Sequence, residues 1–405
     1  MAEEIKKADQ SLMEKALPRI QQVQKAQYEE LLKTHPDWIE PFGDNDWRIK
    51  LTGISEDDKK PRMEWLQSYY GNSVSETVAP EIRDAIADNV YQAVFGDVPS
   101  TNKPYLFLVA GTISSGKSFF TEQYLPKLYP NLKLGIINKD AIKEVDPFYT
   151  EVHAKYPEDA AVVEDFMLPF RELVANKAID NGKSTLAEQS LKSSGFTKTC
   201  ERAIAKTTLD GSPKRPHTVQ GEVIIAPFVL TVVRQLDRFL VDKAKDIVKG
   251  TDLARYEPLS NLRTTFERAA VNLNIMQGYC KTMNFYNSRK ERFERLTKGG
   301  PDIFAGHVFT QKAHGPISDI ALAEATQTLA FVEANLDIIG HNEDFVNSLN
   351  FAKGEVAKIK ELQKWYVVPP ETLGESQREK DAFFAKKQAK AAQTVEKARN
   401  IISGR

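Results

Sequence analysis

Eight consecutive residues carry the strongest chemical signal in the chain. Gly111-Thr-Ile-Ser-Ser-Gly-Lys-Ser118 is a full match to the pattern GxxxxGK[ST]. Gly111 and Gly116 permit close approaches and backbone conformations denied to other residues, so successive N–H groups can converge on a phosphate at a helix N-terminus. Lys117 then offers a point charge to β- and γ-phosphates, and the Ser118 hydroxyl offers a ligand to Mg2+, an ion that otherwise keeps mainly water and phosphate oxygens. The expected ligand is ATP with Mg2+, or another nucleoside triphosphate, cradled by Gly111, Thr112, Ile113, Ser114, Ser115, Gly116, Lys117 and Ser118. A glycine-rich turn that binds nothing is the bland alternative. The setting speaks against it, because an apolar run precedes the motif and a helical pattern follows it.

Where a γ-phosphoryl group would go depends on other residues. Leu134-Gly-Ile-Ile-Asn-Lys-Asp140 ends in a carboxylate at the edge where open α/β sheets place ligands. If this strand adjoins the first, at about 4.8 Å, Asp140 can meet a substrate hydroxyl as a base or join the Mg2+ shell. It also suits the N-cap of the following helix, and the two roles are compatible. Glu188-Gln-Ser190, followed by Lys192, ends a further run and reads either as a shelf for a hydroxyl-rich acceptor or as a loop of capping serines. Arg234, Arg238, Arg255, Arg263 and Arg268 follow. Arginines closing over the equatorial oxygens are a recurrent device in phosphoryl transfer, although each alone suits a solvated helix surface.

These residues need a frame, and the pattern supplies one. Tyr105–Ala110, Leu132–Asn138, Ser184–Glu188, Glu222–Ala226 and Thr282–Tyr286 are short runs rich in strand formers. Between them, Phe119–Leu128, Val162–Asn181, Leu230–Val248 and Leu262–Ile275 have helical period. Alternating strand and helix predicts an α/β fold with a five-stranded parallel sheet, helices on both faces and helical extensions at each terminus. The expected domains are a helical region over 1–100, a kinase-type domain over 101–296 and a helical region over 297–405. Pro36–Lys60 reads as an irregular connection pinned by Trp38 and Trp47, and Lys206–Thr218 as an inserted loop.

Composition narrows the function classes. The 405 residues are 41% hydrophobic and 27% charged, with Lys+Arg 55 against Asp+Glu 56 and a net charge of −1, so no global field draws the chain to nucleic acid. The last thirty residues carry eight basic and three acidic side chains, but only the Phe383-Phe384 pair for stacking, and read as a solvated helix. Two cysteines, Cys200 and Cys280, cannot build a disulfide framework and fit a reducing compartment. The longest apolar stretch, Val223–Val233, contains Pro227 and falls short of the ~20 residues a bilayer requires. No secretory signal opens the chain, so the expected location is cytoplasmic, with delivery by a route that reads no cleavable signal left open.

Taken together, the motif residues resemble the zeta-toxin family of P-loop kinases, the toxin halves of bacterial toxin–antitoxin pairs that phosphorylate UDP-N-acetylglucosamine. The resemblance spans about residues 104–296 and rests on the phosphate loop, Asn138-Lys-Asp140 with Pro147-Phe-Tyr149, the Glu188-Gln-Ser190 corner, Ala226-Pro227 with Asp237-Arg238-Phe239, Leu253-Ala-Arg255 and Asn284–Arg289. It implies ATP-Mg binding by Lys117 and Ser118, a base at Asp140, acceptor contacts from Glu188 and Ser190, and charge neutralisation by Arg238 and Arg255. Gln189 stands where the family has glycine, and Lys192 where it tends to have arginine. The resemblance also implies an antitoxin or other inhibitory partner. The alternatives are a kinase of NAD or a related nucleotide, as in plant-pathogen effectors of the same superfamily, and an ATP-switched interaction protein without phosphotransfer.

Overall fold

The computed structural model describes residues 18–404 apart from 20, 44–45, 73–79, 138–150, 153–154, 157–171, 251–253, 255, 288–290, 301–302 and 364–374. Asp140 and Arg255, as well as Pro147-Phe-Tyr149, lie outside the described residues.

Tyr105-Leu-Phe-Leu-Val-Ala-Gly111 forms a strand with every residue after the first buried, as a run of strand formers covered on both faces should. With Ile39–Phe42 as β1 and Asp46–Ile49 as β2, it is β3 in chain order; β4 is Gly135–Ile137, β5 Thr185–Gln189, β6 Thr218–Ile224, β7 Thr282–Tyr286 and β8 Arg292–Thr297. The main sheet has six strands in the order β4-β5-β3-β6-β7-β8. β4 and β5 run parallel, with Gly135 opposite Thr185, and β6 and β7 run parallel, with Glu222 opposite Asn284. β8 is antiparallel to β7 and closes that edge.

Three details depart from expectation. The sheet gains a sixth strand, which escaped notice because Arg-Phe-Glu-Arg-Leu-Thr buries only Leu296 and so has no continuous apolar face. More consequentially, β5 and not β4 neighbours β3, because chain order does not fix spatial order in a wound sheet. The strand leading to Asp140 therefore stands two places from the phosphate loop's strand, and the strand ending in Glu188-Gln189 stands beside it. Near the N-terminus, β1 and β2 pair as an antiparallel hairpin where an irregular connection was expected.

The chain divides into two compact units. The first comprises Met1–Phe107, Asn131–Ala187 and Lys198–Val219. One of its clusters packs Val90, Tyr91 and Phe95 of the helix Pro80–Phe95 against Val174 and Ala178; another gathers Leu31, Ile49, Leu66, Tyr69 and Tyr156 with Trp38, Trp47 and Trp65. The second unit comprises Leu108–Pro130, Glu188–Thr197 and Gln220–Arg405. Its core centres on the helix Phe228–Lys249, which starts after Pro227 and stops at Gly250 in the left-handed conformation that ends helices cheaply. Val232, Leu236 and Leu240 of that helix pack with Leu322, Leu329, Phe345, Leu349 and Val395, so the C-terminal helices, Glu375–Ile402 included, complete this core.

Candidate nucleotide site

The loop after β3 has the stereochemistry its glycines predict. A β-carbon at residue 111 would stand 2.5 Å from Ser115 Oγ and 2.6 Å from the Ile224 carbonyl oxygen, so only glycine fits. Gly116 sits at φ 95°, a left-handed conformation that side chains disfavour, immediately before the helix that opens at Lys117. Ser115 N–H donates to the Thr112 carbonyl at 3.2 Å, which folds the loop into a turn. The helix begins as α over Lys117–Phe119, widens to π over Phe120–Tyr124 and resumes over Leu125–Leu128. Pro126 lacks an N–H and its ring crowds the carbonyl four residues back, a sufficient cause for the wide turn.

Electrostatically the loop favours an anion. Lys117 Nζ donates to the Gly111 carbonyl at 3.1 Å and the Thr112 carbonyl at 2.9 Å, and it forms no ion pair among the described residues. Burial pushes its pKa down to about 8; the Glu188 carboxylate works against this shift and the Arg238 guanidinium reinforces it. Thr112 is only 1% exposed, and its Oγ1 finds no hydrogen-bond partner among the described residues. A half-buried ammonium held by carbonyl dipoles, an orphaned hydroxyl and a glycine cradle fit a phosphate chain. Mg2+ fits on different terms. Ser118, exposed in the helix's first turn, offers one hydroxyl to an ion that otherwise binds chiefly through phosphates and water.

The other sequence-expected residues fall into three groups. Glu188, half-buried on β5, and Arg238 are close enough to act on Lys117, while Arg238 is 62% exposed at its side chain and pairs with Asp242 at 3.5 Å. Ser190 is exposed; Leu191 beyond it turns through φ 61°, pinned by Asn272 Nδ2 donating to its carbonyl at 2.8 Å. Lys192 faces Glu257 at 3.7 Å. Arg234 and Arg263 engage other residues of the second unit. Arg234 is half-buried, with its pKa pushed down by burial against the opposing charge of Glu324, and Arg263 lies over the Phe351 ring at 5.2 Å. One residue went unnoticed in the sequence: Gln235, whose Oε1 accepts the Ser114 hydroxyl at 2.9 Å. Its signal was a lone amide inside the apolar face Val229–Leu240.

A mostly parallel sheet whose inner strand runs through such a loop into a helix defines an α/β domain of the P-loop type. The family model for Zeta toxin matches residues 90–277, a little under half of the chain. Among solved structures, one from the PezAT chromosomal toxin–antitoxin system of Streptococcus pneumoniae aligns with TM-score 0.49 at 16% identity, covering 64% of this chain and 97% of its own. The AvrRxo1-ORF1:-ORF2 complex, solved in native form and with ATP, aligns with TM-score 0.44 at 12% identity, covering 75% of this chain and 95% of its own. No curated protein matches the sequence. Among the described residues, no helix is long and apolar enough to cross a membrane.

Proposed function

We propose that this protein is an ATP-dependent kinase that transfers a γ-phosphoryl group to a hydroxyl of a nucleotide sugar, as the zeta-toxin match over residues 90–277 supports. The observation that carries the reading is Lys117, a desolvated cation whose hydrogen bonds go to its own loop's carbonyls and which an incoming phosphate would satisfy. Gly111 to Ser118 would hold the triphosphate, and Ser118 and Asp140 would hold Mg2+. The metal's chemistry, when bound, is to neutralise charge on the phosphate oxygens. Asp140 would accept the proton of the attacking hydroxyl. Glu188, Ser190 and Lys192 would orient the acceptor, with Glu188 on the strand beside the loop. Arg238 and Arg255 would stabilise charge on the migrating group, Arg238 by exchanging its exposed pair with Asp242 for the phosphoryl oxygens. The partner that fits a toxin domain is an inhibitory antitoxin.

The test incubates the protein with ATP and Mg2+ beside UDP-N-acetylglucosamine in one arm and NAD in another, with products read by mass. A phosphorylated sugar nucleotide, lost in Lys117→Ala and Asp140→Ala proteins that still melt cooperatively, is the expected result. A phosphorylated NAD would move the acceptor and keep the reaction. Absence of both, with no calorimetric heat on adding ATP and Mg2+, would overturn the proposal.

A further inference from the structure

The phosphate loop contains a strain that the glycines do not explain. Ser114 lies at φ 58°, in the left-handed region, although it has a β-carbon. A residue held there costs free energy and persists only when its surroundings fix it. What fixes it comes from outside the motif. Ser114 Oγ donates to Gln235 Oε1 at 2.9 Å, and Gln235 is 4% exposed within the apolar face of the helix Phe228–Lys249. An amide placed among Val232, Val233 and Leu236 costs desolvation unless it is bonded, so its bond to Ser114 is strongly specified in return. Ile113, the preceding residue, packs against the same cluster.

We infer that Gln235 is a positioning residue for the phosphate loop: its buried carboxamide oxygen holds residue 114 in the left-handed conformation that shapes the cradle. The inference rests on the nucleotide-binding reading above. Gln235 and Arg238 are three residues apart and so share a helix face, and the one hydrogen bond therefore also registers the arginine-bearing helix against the loop. Arg238 acts on Lys117 across this arrangement. The C-terminal helix Glu375–Ile402 contributes Val395 and Ala398 to the same core, which gives that distant segment a role in holding the helix in place.

Binding of a non-hydrolysable ATP analogue with Mg2+, measured by calorimetry, tests the idea without requiring turnover. Ser114→Ala keeps the β-carbon and removes the hydroxyl, and should weaken binding about tenfold, whereas Ser114→Gly, for which the left-handed conformation costs nothing, should weaken it by no more than about threefold. Gln235→Leu should cost about tenfold beside Ser114 and less than about twofold in the Ser114→Gly background, since the two residues act through one contact. Equal affinities for the Ala and Gly variants would overturn the inference, and so would the same Gln235→Leu loss in both backgrounds, which would mark Gln235 as a packing residue. Ser114→Ala and Ser114→Gly alter only the loop, so the first comparison survives even if Gln235→Leu fails to fold. A wild-type protein that binds no analogue would instead bring down the nucleotide reading, and this inference with it.

Discussion

Two lysines in this molecule are drawn in from solvent, Lys155 buried and Lys117 half-buried, and they are treated in opposite ways. In the first unit, Lys155 is 5% exposed, and its Nζ lies 2.8 Å from an Asp46 oxygen, 3.2 Å from Glu151 Oε1 and 5.2 Å from the centre of the Trp47 ring. In the second, Lys117 is held by two backbone carbonyls. A cation matched by two carboxylates and an aromatic face is a finished structural element. One whose hydrogen bonds go only to backbone dipoles, with Glu188 acting on it without an ion pair, keeps a desolvation cost that an incoming anion would relieve. The same residue type thus serves architecture in one region and function in the other, and the partners distinguish them.

The largest effect should come from Lys117→Met. Nucleotide affinity should fall by more than about a hundredfold, the scale of losing a charge-assisted contact from a dry site. Yet the nucleotide-free protein should melt at a higher temperature, because a buried ammonium with a pKa near 8 against an ordinary 10.5 costs up to about 3 kcal/mol at neutral pH. Calorimetry and thermal melting check both halves, and a lower melting temperature would place Lys117 with Lys155 as a structural cation. Gly111→Ala comes next. Its β-carbon must displace Ser115 Oγ and the Ile224 carbonyl, so affinity should fall by about thirtyfold and stability by about 2–3 kcal/mol.

The comparison also shows where sequence reasoning stops. Gly111 to Ser118 could be read directly because the chemistry is local: eight adjacent residues make the cradle, and an apolar run must precede it. The sheet's alternating pattern was equally plain, since β3 and β7 are runs of strand formers with few alternatives. Three things were not legible, for one common reason. The order that sets β5 beside β3, the pairing of β8 through its single buried Leu296, and the Ser114–Gln235 bond across 121 residues all depend on tertiary placement. The hairpin is a milder case. Pro41 interrupts its strand pattern, and the packing that fixes it, Tyr28 stacked on Trp47 at 4.1 Å, is again tertiary.

Lys155→Met sharpens the contrast from the other side. It removes the cation from between Asp46 and Glu151, both of which are substantially exposed, so the loss should be about 1–2 kcal/mol rather than the larger cost of stranding a fully buried charge. Nucleotide affinity should not change, because Lys155 serves only its own unit; a shared loss of binding and stability would erase the distinction.

The smallest effect should be the most specific. Lys117 has its folded pKa below its unfolded value, so at pH below about 8 the folded protein bears the full cost of the buried ammonium, and that cost fades as pH rises from about 8 to 10.5. Stability attributable to this group therefore increases with pH across that window. Nucleotide binding should run the other way, because phosphates favour the charged lysine. Affinity should hold between pH 7 and 8 and then decline, by up to about tenfold at pH 9, with proton uptake on binding detectable in buffers of different ionisation enthalpy. Proton uptake that disappears in Lys117→Met but persists in Lys155→Met would assign the linkage to the loop itself.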